Sequence, residues 1–167
     1  MRRRLVAVVV LAAFTAVGCR PAPAGAEVSV FFTRAEGTAF TVAPARRTVQ
    51  GRETVARVQV ALELLLAGPT DAERREGLTT AIPAGTRLRG VRVEGGVVWA
   101  DFSREIDSGG GSASMLGRFW QIVYTATQFS DAPRVRILID GAAKATLGGE
   151  GVIIERPVAR PETPPRF

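Results

Sequence analysis

The hydrophobic pattern of this chain changes its period several times, and that change restricts the fold to one that mixes strands and helices. Over 53–67 and 114–129, apolar residues return every third or fourth position, the spacing of a helix with one buried face. The other regular stretches alternate in polarity or are rich in β-branched and aromatic residues, and they cover residues 28–33, 38–49, 88–94, 97–103, 133–139 and 151–158. This order predicts an α+β domain with two helices packed on one face of a mixed β-sheet.

The apolar faces of the two helices also predict the core of the domain. The face of the first helix begins at Val55. An apolar helix face is stable only when it is buried, and the strands supply the surface that covers it. We therefore expect one cluster of helix and strand residues to be buried together, namely Leu62, Leu65, Leu66, Phe119, Ile122, Val123, Val98, Val135 and Ile137.

Short local signals mark where the elements start and stop. Gly68-Pro69 ends the first helix, and Thr70 with Glu73 has the spacing of a capping box for a short helical turn. Gly95-Gly96 joins two strands as a tight hairpin. Pro44 lacks the N–H that a central strand needs, so its strand is predicted to be bent or to lie at an edge.

The first residues have the features of a secretion signal. Three arginines, 2–4, precede an apolar run over 5–17 that is shorter than the ~20 residues needed to span a bilayer. Two processing sites compete. Ala16-Val-Gly-Cys19 resembles a lipobox, and Ala24-Gly-Ala26 fits an ordinary signal peptidase. Cys19 is the only cysteine, so it cannot form an internal disulfide, and this favours a lipid on its sulfur.

These signals divide the chain into four parts. They are a lipoprotein-type signal peptide over 1–18, a linker over 19–27, the folded domain over 28–159 and a flexible proline-rich tail over 160–167. The net charge is +6, of which three units belong to the signal arginines. Moderate basicity in an exported chain points to anionic envelope surfaces and away from nucleic acid.

The residue inventory excludes several catalytic classes. The chain has no histidine, so it cannot form a serine or cysteine triad that depends on one, and we predict no metal and no cofactor. One enzymatic alternative stays open: Asp101 and Asp140 both end strands, and a pair of carboxylates can hydrolyse a glycan of the cell wall. The aromatic residues Trp99, Phe119 and Trp120 could form a sugar platform or belong to the core.

Arginines mark one candidate partner surface. They fall on strand positions that alternate with apolar residues, so they could share the sheet face that the helices leave open. Two interpretations remain: a solvated charged face, or a face that binds carboxylates or phosphates of a partner. The candidate residues are Arg87, Arg89, Arg92, Arg134 and Arg136.

Several segments together resemble the GerMN domain of sporulation and spore-germination proteins and of envelope lipoproteins. The matching segments, in order, are Leu62–Pro69, Leu78–Thr86, Val97–Ser103, Gln121–Phe129, Val135–Gly141 and Arg156–Arg160. The resemblance implies a non-catalytic, lipid-anchored module of the cell envelope that supports assembly or signalling at the cell surface. It carries over no catalytic residue. The expected location is the outer surface of the cytoplasmic membrane or the periplasm, and the expected partners are the membrane itself, an envelope protein or an anionic wall polymer.

Overall fold

A computed structural model describes residues 25–149 and 151–167 of the chain. Two long antiparallel strands come first, and a helix, a hairpin, a second long helix and a further strand follow. The main elements are β1 (Ala26–Glu36), β2 (Ala39–Val49), α1 (Thr54–Ala67), α2 (Asp71–Arg75), β3 (Leu78–Thr79), β4 (Leu88–Glu94), β5 (Val97–Phe102), a 3-10 helix (Arg104–Asp107), α3 (Ser112–Ala126) and β6 (Arg134–Ile139). Three short strands follow, β7 (Thr146–Leu147), β8 (Val152–Ile153) and β9 (Val158–Ala159). The predicted α+β class is confirmed.

The strands divide into separate sheets, although the pattern predicted one mixed sheet. One sheet has the order β2-β1-β3, another has the order β4-β5-β6-β9, and β7 pairs with β8. Within the four-stranded sheet β5 and β6 are parallel, and the other pairs are antiparallel. Both long helices contact the two larger sheets, α1 through β1, β2 and β4, and α3 through β1, β2 and β6.

Side chains of α3 and of the turn after it occupy the edge of β1 at residues 29–31, next to the two residues, Thr33 and Arg34, that pair with β3. The Gln128 amide accepts from the Ser29 N–H at 2.7 Å and donates to the Ser29 carbonyl at 2.8 Å. The Thr125 hydroxyl accepts from the Phe31 N–H at 3.0 Å, and the Gln121 amide donates to the Phe31 carbonyl at 3.3 Å. These side chains satisfy the backbone groups that another strand would otherwise pair with.

The core prediction is confirmed. All of the predicted core residues are buried except Leu66, which is partly buried and packs on the same cluster. That single cluster contains residues of both helices and of the two larger sheets. Val55 differs from the prediction, since it lies in the first turn of α1 and is 36% exposed.

The local stop signals also form as predicted. Thr70 and Glu73 make a reciprocal capping box at the start of α2. The hairpin turn has positive φ at both Gly95 and Gly96, which is the conformation of a type I′ turn. β2, which contains Pro44, is an edge strand. No helix of the described residues is long and apolar enough to cross a membrane.

The last residues, 160–167, lie against the domain, whereas their proline content predicted a loose tail. Phe167 and Phe40 exchange two backbone hydrogen bonds of 2.8 and 2.9 Å. The hydroxyl of Tyr124 donates to the carbonyl of Pro161 at 2.7 Å. The physical reason is that Phe167 packs on a second small apolar cluster, which the sequence pattern did not reveal. At the other end, β1 begins at Ala26, inside the predicted linker.

Candidate functional site

The candidate site is the outer face of the four-stranded sheet. Val98, Ala100 and Phe102 of β5 are buried in the core, so the alternate residues of β5 face away from it. Trp99 is therefore on the outer face, and its register partners are Arg92 on β4 and Arg136 on β6. We call this surface the arginine face and define it by Arg89, Arg92, Trp99, Arg134 and Arg136.

A β-bulge places Arg89 on this face. The pairing of β4 with β5 shifts between Leu88 and Gly90, so Arg89 is an extra residue in its strand. A bulge rotates the strand and redirects a side chain. For this reason Arg89 and Arg92 share one face, although strict alternation would separate two residues that are three positions apart.

The centre of the arginine face is a row of three side chains. The guanidinium of Arg92 lies 4.4 Å from the ring centroid of Trp99, a cation–π contact. On the other side of Trp99, Arg136 is only 7% exposed. The Nη1 atom of Arg136 is buried and has no hydrogen-bond partner among the described residues. A buried donor without a partner is costly, so this nitrogen is a candidate contact for a ligand acceptor.

The two remaining predicted arginines have different positions. Arg134 is exposed at the end of β6, and its guanidinium donates to the Gly95 carbonyl at 3.4 Å. Arg87 precedes β4 and lies 3.9 Å from Glu105 of the 3-10 helix. Arg87 is thus beyond the end of the sheet and outside the row, so the structure brings together four of the five predicted arginines.

Asp101 and Asp140, the residues of the hydrolase alternative, meet around one cation. Arg89 Nε is 3.3 Å from Asp101 Oδ2, and Arg89 Nη1 is 3.2 Å from Asp140 Oδ1. Asp101 Oδ1 also accepts from the Gly141 N–H at 2.8 Å. Glycosidases leave room for the sugar and for water between their carboxyl groups. Here the guanidinium of Arg89 occupies that space.

Of the two interpretations of the aromatic residues, the sugar platform does not assemble. Phe119 is 4% exposed and belongs to the core, and Trp99 is on the opposite side of the four-stranded sheet from that core. Trp120 packs edge-on against Phe119 at a centroid distance of 4.7 Å and is partly buried. The described residues contain no cluster of three side chains that could hold a metal ion. Cys19 lies outside the described residues.

Arg118 is a buried residue that the sequence pattern did not single out. It is 3% exposed on α3 and donates to the carbonyls of Ala81, Ile106, Ser108 and Gly109 at 2.7–3.0 Å. Burial lowers the pKa of its guanidinium, an effect that the charge of Asp107 opposes. Arg118 therefore organises the loop before α3. Arg118 is the only charged residue of α3, and this was its only signal in the sequence.

The comparison with known families agrees with this architecture. A family model named Germane, described as sporulation and spore germination, matches residues 29–145, which is more than half of the chain. The chain belongs to the Germane family. The predicted resemblance to the GerMN domain is therefore confirmed.

Solved structures give the same fold for the Germane chain. The first GerMN domain of the sporulation protein GerM from Bacillus subtilis aligns with a TM-score of 0.63 at 22% identity, over 81% of this chain and 98% of that one. The tandem GerMN domains of the same protein give 0.64 at 22% identity, over 87% of this chain and 49% of that one. A Clostridium perfringens protein described as a candidate lipoprotein gives 0.58 at 19% identity, over 82% and 89%. No curated protein sequence matches the chain.

Proposed function

We propose that this Germane protein is an exported, lipid-anchored and non-catalytic module of the cell envelope that binds an anionic partner through its arginine face. The observation that carries the proposal is the row of Arg92, Trp99 and Arg136, in which the Arg136 Nη1 atom is buried without a hydrogen-bond partner among the described residues. Arginine forks suit carboxylates and phosphates, which wall polymers and acidic envelope proteins supply. The family description supports a role in sporulation or germination.

Lipid anchoring rests on the N-terminal sequence. A basic start, a short apolar run and Gly18-Cys19 favour cleavage before Cys19 and attachment of a diacylglycerol to its sulfur. The likeness in fold to a candidate lipoprotein of Clostridium perfringens supports this proposal. We expect mass spectrometry of the native N-terminus to find a lipidated Cys19. A mature chain that begins at Glu27 without lipid would contradict the proposal.

The non-catalytic role rests on the pair of carboxylates. Arg89 fills the space between Asp101 and Asp140, and the chain has no histidine. We expect no release of sugars from purified cell wall. Release that stops with Asp140→Asn would favour the alternative, a cell-wall glycan hydrolase that uses Asp101 and Asp140.

Binding by the arginine face is tested with an exposed pair of arginines. The chain from position 19, with Cys19→Ser to prevent lipidation, contains every residue that the structure describes. We expect R92Q/R134Q to lower its retention on isolated envelopes about tenfold, and we expect added salt to lower wild-type retention, because exposed charges are screened beyond about 8 Å.

The matched control changes the same charge elsewhere. R46Q/R75Q alters two exposed arginines on β2 and α2, outside the four-stranded sheet, and should leave retention unchanged. Protease treatment of the envelopes distinguishes a wall polymer from a protein partner. Equal, salt-independent retention of all variants would show that the arginine face is only a solvated surface.

A further inference from the structure

The outer edge of β4 is open to another strand. β4 is the last strand in the order β4-β5-β6-β9, and no strand among residues 25–149 and 151–167 pairs with its far side. Its length of seven residues is enough for a ladder of several hydrogen bonds. Natural proteins protect long edges of this kind, so an edge left open is a candidate for binding another chain.

The hairpin turn decides which backbone groups point to that edge. In a two-residue turn the flanking residues, Glu94 and Val97, form a hydrogen-bonded pair. Hydrogen-bonded and non-hydrogen-bonded pairs alternate along an antiparallel ladder. The N–H and C=O groups of Val91 and Val93 therefore point away from β5, toward the open edge.

A groove of about 590 Å³ lies along this edge, between β4 and the first turn of α1. Val55, Val91 and Val93 form its apolar part, and this position explains why Val55 is exposed. The groove is on the α1 side of β4, opposite the arginine face. Arg92 lies at the border and lines the groove as well.

The charges around the groove favour an anionic occupant. Arg52, Arg57 and Arg92 line it, together with the carboxylates of Glu53 and Asp131. Arg92 is paired with Glu94 at 3.1 Å, whereas Arg52 and Arg57 make no ion pair among the described residues. One of these carboxylates, Asp131, accepts the Thr54 hydroxyl at 2.6 Å. The Arg57 guanidinium lies over the Phe129 ring at 4.9 Å, and its Nε atom is buried with no hydrogen-bond partner among the described residues.

The start of α1 adds to this positive charge. The residue before the helix, Glu53, makes no side-chain cap, so the first N–H groups of a 14-residue helix are left for another acceptor. The groove thus combines free strand hydrogen bonds, an apolar part and two arginines, Arg52 and Arg57, that make no ion pair among the described residues. An acidic protein segment in extended conformation matches all three features. Its backbone can pair with β4, its alternate side chains can contact the valines, and its carboxylates can pair with the arginines.

We propose that an acidic, extended polypeptide segment binds along β4 as an added strand, with its carboxylates against Arg52 and Arg57. This mode of recognition uses main-chain hydrogen bonds for affinity and side-chain pockets for selectivity. The site shares only Arg92 with the arginine face and does not depend on the ligand of that face.

Synthetic peptides test the charge requirement. The probes are fluorescent ten-residue peptides that alternate Thr with Glu or Thr with Lys, titrated by anisotropy into the chain from position 19 with Cys19→Ser. We expect the acidic peptide to bind and the basic one not to bind. R52Q/R57Q should weaken binding about tenfold, whereas the matched change R74Q/R75Q on α2 should leave it unaltered.

A backbone change tests the strand requirement. Two further acidic peptides carry N-methyl groups, one at the odd and one at the even positions. Each keeps every charge but loses the N–H donors of one of its two edges. The peptide that loses the donors facing β4 should bind at least about tenfold more weakly than the unmodified peptide. Unfolding curves check that R52Q/R57Q is folded. Because Arg52 is exposed, R52Q alone gives a second measure of how much the charge contributes to peptide binding. Equal binding of both methylated peptides and the unmodified one, or full binding by R52Q/R57Q, would overturn the proposal.

Discussion

Glu73 shows how much one side chain contributes to this domain. Its backbone N–H and its carboxylate complete the capping box with Thr70. The same carboxylate pairs bidentately with Arg47 of β2 at 2.6 and 2.8 Å. The hydrogen bond from Arg47 is the main reason that the pKa of Glu73 falls from 4.5 to about 2. This pair ties α2 to the first sheet, and most of both side chains is buried.

The low pKa of Glu73 predicts an acid-sensitive part of the stability. Because the folded pKa is below the unfolded one, the stabilisation is fully present above about pH 5 and is lost as the pH falls toward 2. We expect E73Q to lower the free energy of unfolding by about 1–3 kcal/mol at pH 7 and to match the wild type near pH 2. Urea unfolding across this pH range measures it. E76Q, on an exposed neighbour, should cost far less, and an equal loss for E73Q at all pH values would contradict the prediction.

At the scale of elements, α3 has two buried faces with different chemistry. One face is apolar and packs in the core. The other carries Gln121 and Thr125, with Gln128 just past the end of the helix, and these side chains hydrogen bond to the edge of β1. Spacings of four and three residues keep them in one stripe on a helix surface. This gives a physical reason for the polar residues in the family segment Gln121–Phe129.

The edge contact made by Gln128 predicts a measurable cost. Gln128→Leu leaves the Ser29 N–H and C=O groups without partners, so we expect a loss of about 1–3 kcal/mol in the free energy of unfolding. Hydrogen exchange of the Ser29 amide should also become faster. Gln59→Leu, at an exposed position on α1, is the control. Unchanged exchange at Ser29 would show that the side chain does not protect this edge.

At the scale of the whole molecule, one core joins two sheets that do not pair with each other. The core cluster contains β1 and β2 of one sheet and β5 and β6 of the other, with α1 and α3 in contact with both sheets. The helices therefore hold the sheets together. The tail adds a further contact by covering β2 at Phe40.

Leu65 of α1 tests this role of the helices. It is fully buried in the joint core, so Leu65→Ala should lower the free energy of unfolding by about 2–5 kcal/mol. The next residue, Leu66, is only partly buried, so Leu66→Ala should lower the free energy of unfolding by less than Leu65→Ala does. Chemical denaturation of the two variants makes the comparison. A loss below about half a kilocalorie for Leu65→Ala would mean that the sheets are held by other contacts.

Local chemistry was enough to predict the two long helices, the longer strands and the hairpin turn. It did not predict β3, β7 or the 3-10 helix, and the stretch 151–158, predicted as one strand, contains β8 and only the first residue of β9. Two glycines in sequence dictate a tight hairpin, Thr70 and Glu73 dictate a helix start, and the 3.6-residue period identifies Leu65 and Ile122 as buried. These features depend on neighbours within a few positions, so the sequence contains all of the necessary information. The order of the elements extended this to the fold class.

Only the tertiary structure decided the sheets and the site. The end of strand pairing at Ser29 of β1 involves Gln128, which lies 99 positions later in the chain. The bulge at Arg89 reversed the strand alternation, which brought Arg89 onto the face of Arg92 and between two carboxylates. Arg136 became buried although its residue type predicts exposure. Each of these depends on long-range packing, which a periodic pattern in the sequence does not encode.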